Sequence, residues 1–237
     1  MTRLIATLKL EALNQYRQGF YYASAFVLLV MAVVIGILPD DWQFVLPGLL
    51  LTNMVIATFV FLGGLLLLER GERTLEGQIV TPLRTEEYIL SKITALSALA
   101  VFENMVITGL ALADGLLTEV NWGWILAGSL SSAVLYVLLG FLTVIRYDSL
   151  NEFMMPMIFV TALLELPGMV CLGMPEYWWL YILPTQGPML MFQSALEPRP
   201  VGQMLYAVIY PAIWIAATFW ICRPALRRFV TGGIGEA

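Results

Sequence analysis

The 237-residue chain predicts an all-α integral membrane protein. Six transmembrane helices are expected, with an interfacial helix before the first, a short cytoplasmic helix between spans two and three, and short re-entrant outer helices between spans five and six. Three observations carry that prediction. Hydrophobic residues make up 60% of the chain against 12% charged, far outside the composition of soluble domains. Apolar runs long enough to cross a hydrocarbon core of ~30 Å recur along the chain. Basic residues gather in the connections on one side of those runs and nearly vanish from the other.

In residues 2–18, Leu4, Ile5, Leu8, Ala12 and Tyr16 form an imperfect helical stripe beside Arg3, Lys9 and Arg17, as in a helix lying in the inner interface. Leu10 and Glu11 interrupt the stripe, so a solvated leader helix stands as the alternative. The first apolar run ends at Ile37-Leu38-Pro39-Asp40 without a small-residue cleavage site, and the first span is expected to stay in the protein. The spans are read at 20–38, 46–68, 89–112, 122–145, 153–172 and 204–222. Gly63-Gly64 thin span two, Gly128 and Ser132 permit close approach on span four, and Pro156 and Pro167-Gly168 are expected to kink or end span five.

Residues 178–192, WWLYILPTQGPMLMF, are too short to cross a bilayer and are broken by Pro184, Gly187 and Pro188. The outer segment 173–200 is therefore expected to be re-entrant or interfacial, with Trp178 and Trp179 at the boundary. No repeat or linker marks a boundary, so residues 1–237 are read as one domain ending in a glycine-rich tail from Gly232. Cys171 and Cys222 close opposite ends of the bilayer, too far apart for the ~7 Å limit of a disulfide.

Under six spans, Arg3, Lys9, Arg17, Arg70, Arg73, Arg84, Lys92, Arg146, Arg223, Arg227 and Arg228 share one side, with only Arg199 opposite. Asp40, Asp41, Asp114, Glu119, Glu176 and Glu197 lie on the other. Both termini are thus expected in the cytoplasm of a multi-pass protein of the cell inner (plasma) membrane. The net charge of −5 gives no reason to expect a nucleic-acid partner. With no His in the chain, histidine metal sites and Ser/His hydrolysis drop out. Asp148 has no second Asp to form an intramembrane protease pair, and no G-x-x-x-x-G-K-[ST] phosphate loop is present. Any ATP used must be bound by another chain.

Between spans two and three lies ERGERTLEGQIVTPLR, residues 69–84. Thr74 suits an N-cap, and Glu76 falls in the first turn, where the helix dipole favours an acid. Leu75, Ile79 and Val80 supply an apolar edge, and Pro82 ends the segment by disfavouring helical geometry at Thr81. Thr85, Glu86 and Glu87 start the next helix at once. The stretch encodes a short, separately capped helix fixed to the ends of two spans, unless it is only a solvated loop whose charges enforce topology.

This stretch resembles the signature segment of the type-2 ABC exporter permease family. The matching elements are Glu69-Arg70-Gly71-Glu72-Arg73, Thr74-Leu75-Glu76 and Thr81-Pro82-Leu83, followed by Tyr88 and Lys92 at the start of span three. Arg73 replaces the glycine usual before T-L-E. The likeness covers the whole chain in architecture, and small drug-exporter permeases look closest.

The resemblance implies a permease subunit with no catalytic, cofactor or metal site of its own. Two permeases, identical or paralogous, would pair around a pathway for a lipophilic or amphiphilic small molecule or lipid. Two cytoplasmic ATPase subunits would carry ATP and Mg. Residues 69–88 would be the coupling segment, with Glu69, Arg70, Glu72, Arg73, Thr74, Leu75, Glu76, Ile79, Thr81 and Pro82 at the ATPase interface. Thr52, Asn53, Thr58 and Phe59 on span two, and Met154, Met157, Ile158 and Thr161 on span five, are the positions implied for the pathway.

Two acids lack a visible basic partner within the membrane: Glu103, roughly 16 Å along span three from Lys92 at 1.5 Å per residue, and Glu165 in the outer part of span five. Charge at such depth is costly, which marks both as candidate pathway groups. The competing reading has each protonated or bonded to neighbours such as Asn104 or Thr161. A secondary transporter and a membrane scaffold or receptor docking a cytoplasmic partner are the rival functions, separated from the exporter by whether an ATPase co-purifies.

Overall fold

The computed structural model describes residues 2–71 and 85–232, and the side chains within them except those of 2–9, 40–41, 85–87 and 225–232. The regular elements among the described residues are all helices, six of them long and apolar enough to cross a membrane. The chain is an all-helical membrane protein.

Helix α1 (Thr2–Arg17) turns into α2 (Phe20–Ile37) at Gly19. The turn needs φ +83°, which glycine adopts without the Cβ clash other residues incur. Of the predicted apolar stripe, Ala12 is half-buried and Tyr16 exposed, while the side chains of Leu4, Ile5 and Leu8 lie outside those described. Among the described side chains of α1 the buried positions are Glu11 and Gln15, while Leu10 and Leu13 join Tyr16 outside. An apolar face turned away from the fold suits an interfacial helix.

Span two is not the uniform helix that its apolar run suggests. After a 3-10 turn (Asp40–Val45) it comprises α3 (Leu46–Met54), a π-helical stretch (Val55–Val60) and α4 (Phe61–Gly71). Span three is α5 (Thr85–Ala113), and span four is α6 (Trp122–Val144), begun by Asn121, whose side chain accepts from Gly123 N. Span five is α7 (Leu150–Glu165), begun by Ser149. Pro156 sits within α7 without ending it; Pro167 instead marks its change to a 3-10 helix (Leu166–Leu172).

The outer segment comprises a 3-10 turn (Trp178–Ile182) and α8 (Gln186–Leu196), followed by span six in α9 (Val201–Gly232). Helix α9 runs well past the expected end at Cys222. Helix α8 is buried along most of its length against α6, α9 and α3. Trp178 is exposed, and Tyr177 stacks on Trp179 at 6.0 Å. Tyr206 and Tyr210 of α9 donate to the carbonyls of Tyr181 (2.5 Å) and Ile182 (2.6 Å), holding the turn to the bundle. Burial, then the Glu176 carboxylate that its hydroxyl contacts, push the Tyr181 phenol up to about 12.

Spans two and four form the centre, while spans one, five and six bury only a minor share of their residues. Glycines permit the tightest contacts. A Cβ at Gly63 would meet the Phe153 ring at 2.3 Å, one at Gly128 the Phe192 ring at 2.8 Å, and one at Gly187 the Pro211 ring at 2.2 Å. Pro211 cannot yield as a flexible side chain would. Gly187→Ala is expected to lower the thermal midpoint in detergent by overpacking worth about 1–3 kcal/mol, whereas Gly36→Ala, where a Cβ meets nothing within 4 Å, serves as the neutral control. Equal midpoints for the two variants would contradict the packing described for α8 on α9.

Candidate functional site

Polar groups in this bundle are concentrated in three places, and all three touch span two. At the end shared by α1, α4 and α5, the Lys92 ammonium donates to both Glu11 and Glu69, and Tyr88 Oη donates to Glu69 Oε2 at 3.1 Å. None of these side chains is appreciably exposed. The Tyr88 ring lies 5.5 Å from Lys92 Nζ, close enough for a cation–π contact. Burial pushes the Glu11 carboxyl up from its ordinary value, the Lys92 ammonium opposing that shift and Glu69 adding to it. One cation therefore holds together the N-terminal helix, the foot of span two and the foot of span three.

Beside this clamp, Arg70 pairs with Asp148 at 2.6 Å and donates to the Tyr147 carbonyl at 3.1 Å. Asp148 is exposed, so this bridge is worth about 0–1 kcal/mol and mainly fixes the turn between spans four and five. The remaining candidate interface residues, Glu72, Arg73, Thr74, Leu75, Glu76, Ile79, Thr81 and Pro82, lie outside the described residues, as does the expected helix at 74–80.

The second cluster is a polar layer inside the bundle. Asn53 Nδ2 donates to Asn104 Oδ1 (3.0 Å), Asn104 Nδ2 contacts Ser129 Oγ (3.0 Å), and Ser24 Oγ donates to Glu103. These bonds stitch spans one to four together where water cannot compete. Glu103 Oε2 and Asn53 Oδ1 remain without a partner among the described residues.

The third lies on a neighbouring face of α3. Thr52 Oγ1 is 3.0 Å from both Glu165 Oε2 and the Gly48 carbonyl one turn back, and Glu165 Oε1 is buried without a partner among the described residues. Together these groups border a cavity of about 100 Å³ between α3 and the 3-10 end of span five.

The expected pathway residues divide sharply. Asn53, Thr58, Phe59 and Glu103 are buried within the chain; Thr58 donates to the Met54 carbonyl, and Phe59 packs on Phe153 at 6.3 Å. Thr52, Met157, Thr161 and Glu165 are half-buried, while Met154 and Ile158 are exposed. Thr161 bonds to the Met157 carbonyl at 2.8 Å and not to Glu165. Sequence reading missed Glu11 and Ser24 as partners. A lone acid facing one of only two lysines was the available signal for Glu11.

Six apolar helices, polar side chains bonded across spans, and a charged clamp at the foot of spans two and three define a polytopic membrane protein. The sequence model of the fluoroquinolones export permease protein family matches residues 2–233. Fluoroquinolones export permease proteins of two Mycobacterium tuberculosis strains, CDC 1551 / Oshkosh and ATCC 25618 / H37Rv, are each 33% identical to this chain, covering 97% of it and 95% of the relative. The chain belongs to the fluoroquinolones export permease protein family, which bears out the likeness to drug-exporter permeases.

Removing one partner of a buried ion pair strands the other's charge and costs about 3–5 kcal/mol. Lys92→Met is expected to incur that loss, because Glu11 and Glu69 then face each other without a cation. Adding Glu11→Gln to Lys92→Met should recover part of it. Thermal melts of the two variants in detergent check this, and a double variant no more stable than the single one would contradict the shared ammonium.

Proposed function

We propose that this chain is the membrane-spanning permease subunit of an ATP-driven exporter, moving amphiphilic drugs such as fluoroquinolones out of the cytoplasm or inner leaflet. Family membership supports drug export, and the relatives' names supply the substrate class. The observation that carries the coupling is the buried Glu11–Lys92–Glu69 cluster. It stiffens the two helix ends from which residues 72–84 depart, so force applied to that segment is delivered to spans two and three together. A loose foot would dissipate it.

In this reading the permease hydrolyses nothing itself. ATP and Mg reside on a separate cytoplasmic ATPase, consistent with the missing phosphate loop, and a second permease, identical or paralogous, completes the pathway. The basic clusters of the termini and the 69–92 region support cytoplasmic placement of both ends in the inner membrane. A secondary carrier is the second reading, favoured by the buried Glu103 with its unpartnered oxygen. It requires proton-driven flux without an ATPase.

Affinity purification from native membranes, followed by an ATPase assay with and without a fluoroquinolone, tests the exporter. A co-purifying ATPase stimulated by drug is expected. Reversing Glu72 and Glu76 together should abolish drug transport while membrane insertion and basal ATP turnover persist; transport at the unmodified level would overturn the proposed coupling.

A further inference from the structure

We propose that the cavity beside Glu165 is a binding site for the ammonium head of an amphiphilic cation, with the Glu165 carboxylate as its counter-ion. The proposal deepens the export reading by naming the substrate chemistry, and rests on it only for the fate of the bound molecule.

Among the described residues Glu165 Oε1 is buried with no hydrogen-bond partner, and Oε2 has only Thr52. The Thr52 hydroxyl carries one proton, which it can give either to Glu165 or to the Gly48 carbonyl. A carboxylate so poorly provided for within a bilayer calls for a positive charge beside it. Among the described residues no Lys or Arg borders the cavity. A cation seated in the cavity supplies the missing charge.

Size and wall chemistry narrow the occupant. At about 30 Å³ per water, a cavity of about 100 Å³ holds a head group and not a whole drug. Val45, Leu49, Met169 and Leu172 line it, and apolar walls suit alkyl substituents on nitrogen. A divalent metal is a poor match, since six or more oxygen ligands are its usual demand and one carboxylate, one hydroxyl and a carbonyl are on offer. Met169 and Leu172 are exposed, so the rim is apolar and the hydrophobic body of the ligand lies along it while its head reaches Glu165.

Two glycines keep the space open. A Cβ at Gly48 would sit 3.3 Å from the Gly168 carbonyl, and one at Gly168 would sit 3.5 Å from Glu165 Oε2, an ordinary contact distance. Gly168→Ala therefore narrows the head-group space without a clash and leaves the carboxyl in place.

The test uses the purified full-length permease, without any ATPase, and three probes whose binding is corrected for partition into empty detergent micelles: benzyltrimethylammonium, its uncharged carbon isostere neopentylbenzene, and benzylammonium. An ion pair with the carboxylate predicts that the unmodified protein prefers the cation over the isostere by about ten-fold or more. Glu165→Gln should erase that preference. Gly168→Ala should weaken benzyltrimethylammonium more than the slimmer benzylammonium, and it keeps the proposal testable should Glu165→Gln fold poorly. Lack of preference in the unmodified protein, retention of it in Glu165→Gln, or equal losses for both cations in Gly168→Ala would each overturn the site. Because no nucleotide enters this assay, its failure is separate from a failure to find a co-purifying ATPase.

Discussion

A fully buried ammonium on Lys92 is the constraint on which the basic end of this protein depends. Taking that charge out of water costs several kcal/mol, recovered only if fixed acceptors surround it. Glu11 and Glu69 provide them from two other helices, and Tyr88 occupies the second Glu69 oxygen. The geometry that satisfies the charge also fixes where α1, α4 and α5 sit relative to one another. Charge satisfaction and helix placement are therefore the same requirement here, and neither α1 nor the foot of span two can move without exposing the other to an unmatched charge.

The same logic grades what the sequence could reveal. Apolar runs disclosed all six spans because hydrocarbon thickness sets a minimum length whatever the neighbours do. Pro167-Gly168 disclosed the break in span five, and the interrupted run at 178–192 disclosed a segment that does not cross. These are local properties. The role of Glu11 is not: its partner is 81 residues away, and an apolar-stripe reading sets Glu11 aside as an interruption when it is the buried anchor of α1. The π-helical stretch at Val55–Val60 left no mark either, since its residues read as an ordinary apolar run.

Candidate pathway residues were legible as chemistry and much less as position. Thr52 and Asn53 are adjacent in sequence, yet one borders a cavity and the other lies within the bundle, bonded to Asn104. About 100° of rotation per helical residue separates them, and only tertiary packing decides which direction is outward. Glu103 and Glu165 looked alike as lone acids in apolar runs. The first is enclosed with Ser24; the second opens to a rim of exposed Met169 and Leu172.

Span two joins these observations into one mechanical element. Thr52 and Glu69 lie on it 17 residues apart, roughly 25 Å at 1.5 Å per residue, with the π-helical turns between them. A helix is stiff along its axis, so a displacement imposed on the clamped foot at Glu69 reaches the level of Thr52 largely undiminished. The π turns are the place where its hydrogen-bond pattern departs from the α ladder, and such turns recur at functional sites in helices. Below them the rod is held by charge, through Lys92. Above them it is held by Asn53 to Asn104 on one face and by Thr52 to Glu165 on the next, and of these the contact to Glu165 borders empty space. The outer contact is therefore the one that can change with least loss of packing.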